Sequence, residues 1–362
     1  MRITNLKIFI LFCILSFSIY YVLLKFNWFD NKNQIWESNY YNSNQNTFKY
    51  DKKFKEHIAS EEKTLKKINN DTIKACILIY ATNNNLNTLK STIISFEKMF
   101  NRKFNYPYIL FNNEKFTNEF KSEIVKHSHS KIEFVIISTE NWNVPDWVDV
   151  NQLEKIHHNA YYNYIFYNRF FSGFFFKEEV TLKYDYYLRI DHQFIFPCPI
   201  NQDPFLKLYT ENILYGYLLS SNKDMNKISK FWKEINQWLD NGIRDSIPKI
   251  NLMKNITDNN RVITNECYFE SNFEIASFNL FRNDLYSSYF NHLDRSGAFF
   301  FDMVDDSLVH SYFAFLMLNK DEIIKFNDIG FSFRKKFKPP VNGSIICLTN
   351  EFDLYSDSCT KL

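Results

Sequence analysis

The sequence predicts an α/β fold, an open sheet with helices packed on its faces. Three short apolar runs carry the prediction: ACILIYA at 75–81, YPYILF at 106–111 and IEFVIIS at 132–138. Continuous apolarity over so few residues is what a strand buried on both faces requires. Between the runs, Leu86, Leu89, Ile93, Ile94, Phe96 and Phe100 recur at helical spacing across 86–100, and 117–126 forms a second helix. Strand, helix, strand, helix, strand at these lengths is a right-handed βαβαβ unit. Sheets of this kind bind ligands at the carboxyl ends of their strands. The first strand–helix turn reads ATNNNL, with no G-x-G-x-x-G and no Walker loop. That weighs against a dinucleotide enzyme or a P-loop NTPase, whereas a nucleotide sugar needs neither motif.

Further along, residues 159–176 (NAYYNYIFYNRFFSGFFF) read as a helix with an aromatic face. Residues 184–196 read as a strand entering a polar turn at Asp191. A carboxylate just past a strand end is where a metal–diphosphate ligand sits; the plainer reading is a surface turn. In 265–310, Glu274 interrupts the apolar run Phe273, Ile275, Ala276, and about one helix length later come Asp302, Asp305, Asp306 and His310. A buried carboxylate near oxygen and imidazole ligands suits metal-assisted chemistry at a sugar or phosphate. An edge-facing glutamate followed by a capped helix is the alternative.

With 43 basic and 41 acidic residues the net charge is +2, which gives no electrostatic case for nucleic acid. Between Lys7 and Lys25 lie 17 uncharged residues, 8–24, the short end of what spans a bilayer. A cleaved signal peptide competes, but bulky KFNWFD follows instead of a small-residue cleavage site. The expectation is an uncleaved transmembrane signal anchor behind a short cytoplasmic tail, 1–7. Positive charge on both flanks orients it only weakly, and its length suits a thin early-secretory membrane. Residues 25–72 are polar and read as a stem, with a helix at 52–67 as the alternative; the catalytic domain then occupies 73–362. Of six cysteines, Cys13 lies in the apolar run, and the remaining five leave at least one free or paired between chains. There is no C-x-x-C to suggest a zinc ribbon. Sequons at Asn70, Asn255 and Asn342 favour a luminal location.

Several segments together resemble one family. They are NRKFNYPYILFNNEKFTNEFK (101–121), YNRFFSGFFF followed by KYDYYLRIDHQFIFPCPINQDPF, then CYFESNFEIA, the DDSLVHS segment, and NKDEIIKFNDIGF. In this order they are similar to the fungal Golgi α-1,2-mannosyltransferases, glycosyltransferase family fifteen, over about residues 75–331. The resemblance implies a type II membrane protein with a GT-A-like, Rossmann-type open mixed sheet. It implies GDP-mannose as donor, a mannosylated glycoprotein as acceptor, Mn2+ as cofactor and retention of anomeric configuration. His310 falls on the family's metal-binding histidine, and Asp191 on the first acidic position of its Glu-Pro-Asp turn. Glu274 falls on the glutamate proposed as nucleophile or transition-state stabiliser, and Tyr164 on an active-site tyrosine. Arg169 and Ser172 lie in the helix that helps form the pocket, and Asn272 joins them as substrate-binding. Retention requires either a carboxylate nucleophile or front-face attack beside a stabilising carboxylate, and Glu274 suits both.

The chain departs from the family at named positions. Glu-Pro-Asp becomes Asp191-His192-Gln193, so the second acid is an amide. The histidine and tryptophan ahead of the glutamate become Tyr268 and Glu270, and a turn arginine becomes Thr82. A catalytically inactive relative serving as scaffold is therefore the alternative function.

Overall fold

The structure, a computed structural model, describes residues 73–157, 161–248, 251–341, Cys347 and Asp353–Leu354. The expected tail, anchor and stem, the alternative helix at 52–67, and the sequons at Asn70 and Asn342 lie outside the described residues. Among the described residues, no helix is long and apolar enough to cross a membrane.

Thirteen strands are described. The first four, β1 (Ala75–Tyr80), β2 (Tyr108–Asn112), β3 (Ile132–Ile136) and β4 (Tyr186–Ile190), run parallel in the order β4-β1-β2-β3. They are followed by β5 (Phe194–Ile195), β6 (Tyr215–Tyr217), β7 (Ser220–Asn222), β8 (Cys267–Phe269) and β9 (Phe273–Ser277). The last are β10 (Ile323–Lys325), β11 (Phe331–Phe333), β12 (Lys336–Lys338) and β13 (Asp353–Leu354). The main sheet has the order β10-β6-β9-β4-β1-β2-β3. Its β9 is antiparallel to both β4 and β6, so the sheet is mixed. A second sheet is ordered β13-β12-β11-β5, and β7 pairs with β8.

Side chains alternate across a strand, so each strand of the main sheet feeds two cores. Cys76, Leu78, Ile109, Phe111, Tyr187, Tyr215 and Ala276 enter one. Ile77, Ile79, Tyr108, Leu110, Leu188, Ile190 and Ile275 enter the other. On the second face lie α1 (Leu86–Phe96) and α2 (Asn118–His127). The first is covered by α3 (Tyr162–Gly173), α4 (Met225–Trp238), α5 (Asp284–Arg295) and α6 (Asp306–Met317).

Element ends differ from the sequence reading for local reasons. The run at 106–111 becomes a strand only from Tyr108, since Pro107 has no amide to donate. The helix expected through Phe100 changes at Glu97 to a π-helical turn, Glu97–Asn101. There the buried Glu97 carboxylate accepts from the Tyr108 hydroxyl at 2.8 Å and from Asn101 at 3.1 Å. Cys198 pairs with Cys347, Cys267 is also disulfide-bonded, and Cys76 is a buried free thiol.

Gly173 sets how closely α3 meets α5, because a Cβ there would stand 2.0 Å from the Phe290 ring. Gly173→Ala is expected to destabilise the protein by about 1–3 kcal/mol through overpacking, read as a lower urea midpoint. An unchanged midpoint would show that the two helices part at no cost.

Candidate active site

Antiparallel pairing sets Arg189 of β4 opposite Glu274 of β9, and Tyr217 of β6 opposite it on the other side. Tyr187, Arg189 and Glu274 therefore share the face that α3 and α6 cover. Three layers of polar side chains cross this otherwise apolar face.

The deepest layer centres on Glu274, which is 0% exposed. Its Oε1 accepts from the Tyr187 hydroxyl. Its Oε2 accepts from the Tyr215 hydroxyl at 2.8 Å and lies 2.8 Å from His310 Nδ1. Burial would raise the Glu274 pKa, but the adjacent His310, followed by Arg189 and the Tyr187 hydrogen bond, holds it below the usual carboxylate value. Burial and Glu274 itself push both tyrosine hydroxyls well up, so they remain donors. An ionised carboxylate can only accept, which places the proton of this pair on Nδ1. His310 Nε2 is buried without a hydrogen-bond partner, and Phe281 lies 4.6 Å from the ring, centroid to centroid.

One helical turn earlier on α6, Asp306 pairs with Arg189 Nη1. Arg189 Nη2 donates to the Tyr167 hydroxyl at 2.7 Å, and the guanidinium lies 3.9 Å from the Phe171 ring. The Asp306 amide donates to Asn168 Oδ1 at 3.1 Å. Burial opposes the charge on Arg189, but Asp306, Tyr167 and Glu274 outweigh it and raise the pKa. This layer is a buried ion pair whose arginine also reaches the Tyr167 hydroxyl.

At the rim, the β4 strand ends where the Asp191 amide donates to the Asn272 carbonyl at 2.8 Å. Asp191 Oδ1 accepts from the Gln193 amide at 2.8 Å. The turn is tied to α1: Thr88 Oγ1 lies 2.9 Å from His192 Nδ1, and Thr92 donates to the His192 carbonyl at 2.7 Å. Burial lowers the His192 pKa against the pull of Asp191, and Arg334 lowers it further. Asn272 Nδ2 donates to Glu270 Oε2 at 2.7 Å, while Ser221 donates to Glu270 Oε1. Tyr164 is 42% exposed; partial burial, then Asp305 and Asp306, raise its pKa.

Of the residues expected from sequence, Glu274 and His310 touch, Asp191 and Asn272 meet through the backbone, and Tyr164 faces the Asp305 side. Arg169 and Ser172 have their described contacts with α5 and the rings beside it. Arg169 binds Asp294 of α5 through Nε and Nη2 at 2.7 and 2.9 Å, with the Phe174 and Phe300 rings against it. Ser172 gives its carbonyl to the Tyr286 hydroxyl at 2.6 Å, and its own Oγ is buried without a partner. Arg169 therefore faces the α3–α5 seam, and its Nη1 is buried without a partner. Arg189, Tyr187, Tyr215 and Tyr167 were not anticipated. The signal was available, since an arginine two residues before the Asp191 turn, inside YDYYLRI, has to share a face with Tyr187.

The aspartates expected to surround His310 are each neutralised by their own cation: Asp302 by Lys230, Asp305 by Lys223 and Asp306 by Arg189. A carboxylate on Nδ1 is how proteins orient a metal-ligating histidine. Among the described residues, however, no three histidine, cysteine or acidic side chains converge on a metal position. With its Nδ1 on a carboxylate and its buried Nε2 unpartnered, His310 is the residue that would hold Mn2+ together with Asp191; no step below runs through the metal.

The family model described as glycolipid 2-alpha-mannosyltransferase matches residues 30–361. The chain belongs to this glycosyltransferase family. It is 34% identical over 266 residues to the glycolipid 2-alpha-mannosyltransferase of Saccharomyces cerevisiae, covering 71% of this chain. The match spans only 60% of that relative's length. It is 31% identical to O-glycoside alpha-1,2-mannosyltransferase homolog 2 of Schizosaccharomyces pombe, over 78% of each chain. Among solved structures it is similar to core-mannan synthase A of Aspergillus fumigatus in its Mn/GDP form. That likeness has a TM-score of 0.71 at 28% identity, over 78% of this chain and 81% of the other. The mixed α/β sheet expected of the family is the sheet observed.

Proposed function

We propose that the chain is a retaining α-1,2-mannosyltransferase. It moves mannose from GDP-mannose to an α-mannoside on a glycoprotein glycan, in the Golgi or early secretory membrane, with the catalytic domain luminal. Family membership supports this reading, as do relatives described by that activity and a structural neighbour described with GDP and manganese. Mn2+ remains the proposed cofactor; His310 and Asp191 would hold it, and it would neutralise charge developing on the departing diphosphate. The observation that carries most weight is Glu274, a carboxylate held ionised in a dry face beneath the strand ends where α/β sheets receive ligands.

In this reading Glu274 works without bonding to the sugar. Both of its oxygens are engaged by three donors, and no part of it reaches the surface. Its negative charge would stabilise the oxocarbenium character of the transition state through a low-dielectric interior. That favours front-face attack over a covalent intermediate. Tyr187, Tyr215 and His310 act through Glu274 as positioning residues, fixing where the charge sits. In this reading Tyr164 and Asn272, at the rim, orient donor and acceptor hydroxyls.

The test is transfer of labelled mannose from GDP-mannose to methyl α-mannoside by the full-length chain, in Mn2+ and in chelator. Transfer that needs metal supports the proposal entire. A folded chain that binds GDP yet transfers to no α-mannoside would favour the scaffold alternative.

A further inference from the structure

The turn Asp191–His192–Gln193 has a neighbour that the proposed reaction has not used. Strand β11 pairs with β5 so that Phe333 stands opposite Phe194, which sets the next residue, Arg334, beside Gln193. Arg334 Nε donates to Gln193 Oε1 at 3.3 Å, and its guanidinium lies 4.9 Å from the Phe333 ring. Arg334 and Lys335 alone connect β11 to β12, and both are left-handed, with φ of 48° and 67°. A two-residue hairpin of this kind normally takes Asn-Gly or Asp-Gly, because residues with a Cβ adopt it at a cost. Two long cations at such a tip mark a strained position, and strain held at a surface site points toward function. Arg334, Lys335 and Lys336 are all exposed.

The turn carries one carboxylate where the resembled pattern has two acids, and the second position is a neutral amide that receives an arginine. Exchanging an acid for an amide and adding a guanidinium shifts the local charge toward binding an anion directly. The anion due at the end of β4 in the proposed reaction is a diphosphate, and guanidinium is the side chain best matched to phosphate oxygens.

We propose that the hairpin tip, Arg334 with Lys335, binds the diphosphate of the nucleotide sugar at the Asp191–Gln193 turn. It supplies positive charge beside the turn's single carboxylate. This rests on the donor assignment above. The binding is electrostatic, is specific for the phosphates and persists in part without divalent metal.

Calorimetric titration of the full-length chain in detergent tests it, using GDP and guanosine, each in Mn2+ and in EDTA. Arg334→Gln is expected to weaken GDP binding about 10-fold, the loss of one charge-assisted phosphate contact, and to leave guanosine affinity unchanged. Arg334→Lys should recover part of the loss. Equal GDP affinity in wild type and Arg334→Gln would overturn the inference while leaving the donor assignment standing. So would an equal fall for guanosine. Wild-type protein that binds no GDP in either condition would overturn both.

Discussion

Glu274→Gln is expected to lower mannosyl transfer about 100-fold or more while GDP affinity stays within about twofold of wild type. The substitution keeps shape and removes charge. A neutral amide in a dry interior offers the developing oxocarbenium no counter-charge, so the loss falls on kcat and not on binding. The amide also has two hydrogens to place among Tyr187, Tyr215 and His310, so at least one hydroxyl has to turn. Steady-state kinetics with a parallel GDP titration reads both effects. Turnover near wild type would remove Glu274 from the mechanism. Azide separates the two routes to retention: a displaced nucleophile would leave Glu274→Ala rescuable as a β-mannosyl azide, whereas front-face attack predicts no such product.

The second large effect is on stability. Arg189→Met is expected to cost about 3–5 kcal/mol, because it leaves Asp306 buried with no counter-charge. It also takes the partner from the Tyr167 hydroxyl. The pair as a whole contributes far less than that figure, since both ions were desolvated to form it. Arg189→Met combined with Asp306→Leu should therefore recover most of the loss. Chemical denaturation of the three variants measures this. A single variant within about 1 kcal/mol of wild type would mean that water reaches Asp306 and that the middle layer is not sealed.

What could be read from the chain depended on how local each signal was. Strands β1 and β2 were legible because strands buried on both faces leave continuous apolar runs, and their helices because the spacing changes between them. Strand β3, read from a similar run, is instead the partly exposed edge strand, with Ile136 54% exposed. Glu274 and His310 could be singled out as residue types against apolar surroundings. Their direct contact could not, since it joins positions 36 apart through the pairing of β9 with β4 and the seat of α6. The same holds for Arg189 with Asp306, 117 apart, and Arg169 with Asp294, 125 apart. Each aspartate near His310 suggested a metal ligand while its partner was unknown. Lys230, Lys223 and Arg189 lie far off in sequence and claim them. The partner of Arg169 was hidden for a geometric reason: a helix has several faces, and only its packing against α5 shows that Arg169 meets Asp294.

The central claim is that this chain transfers mannose with retention. Proton NMR of the product tests it most directly, with the full-length chain, GDP-mannose, methyl α-mannoside and Mn2+. The account predicts an α-linked dimannoside whose anomeric signal grows in step with GDP release. A β-linked product, or GDP release that yields only free mannose, would contradict it.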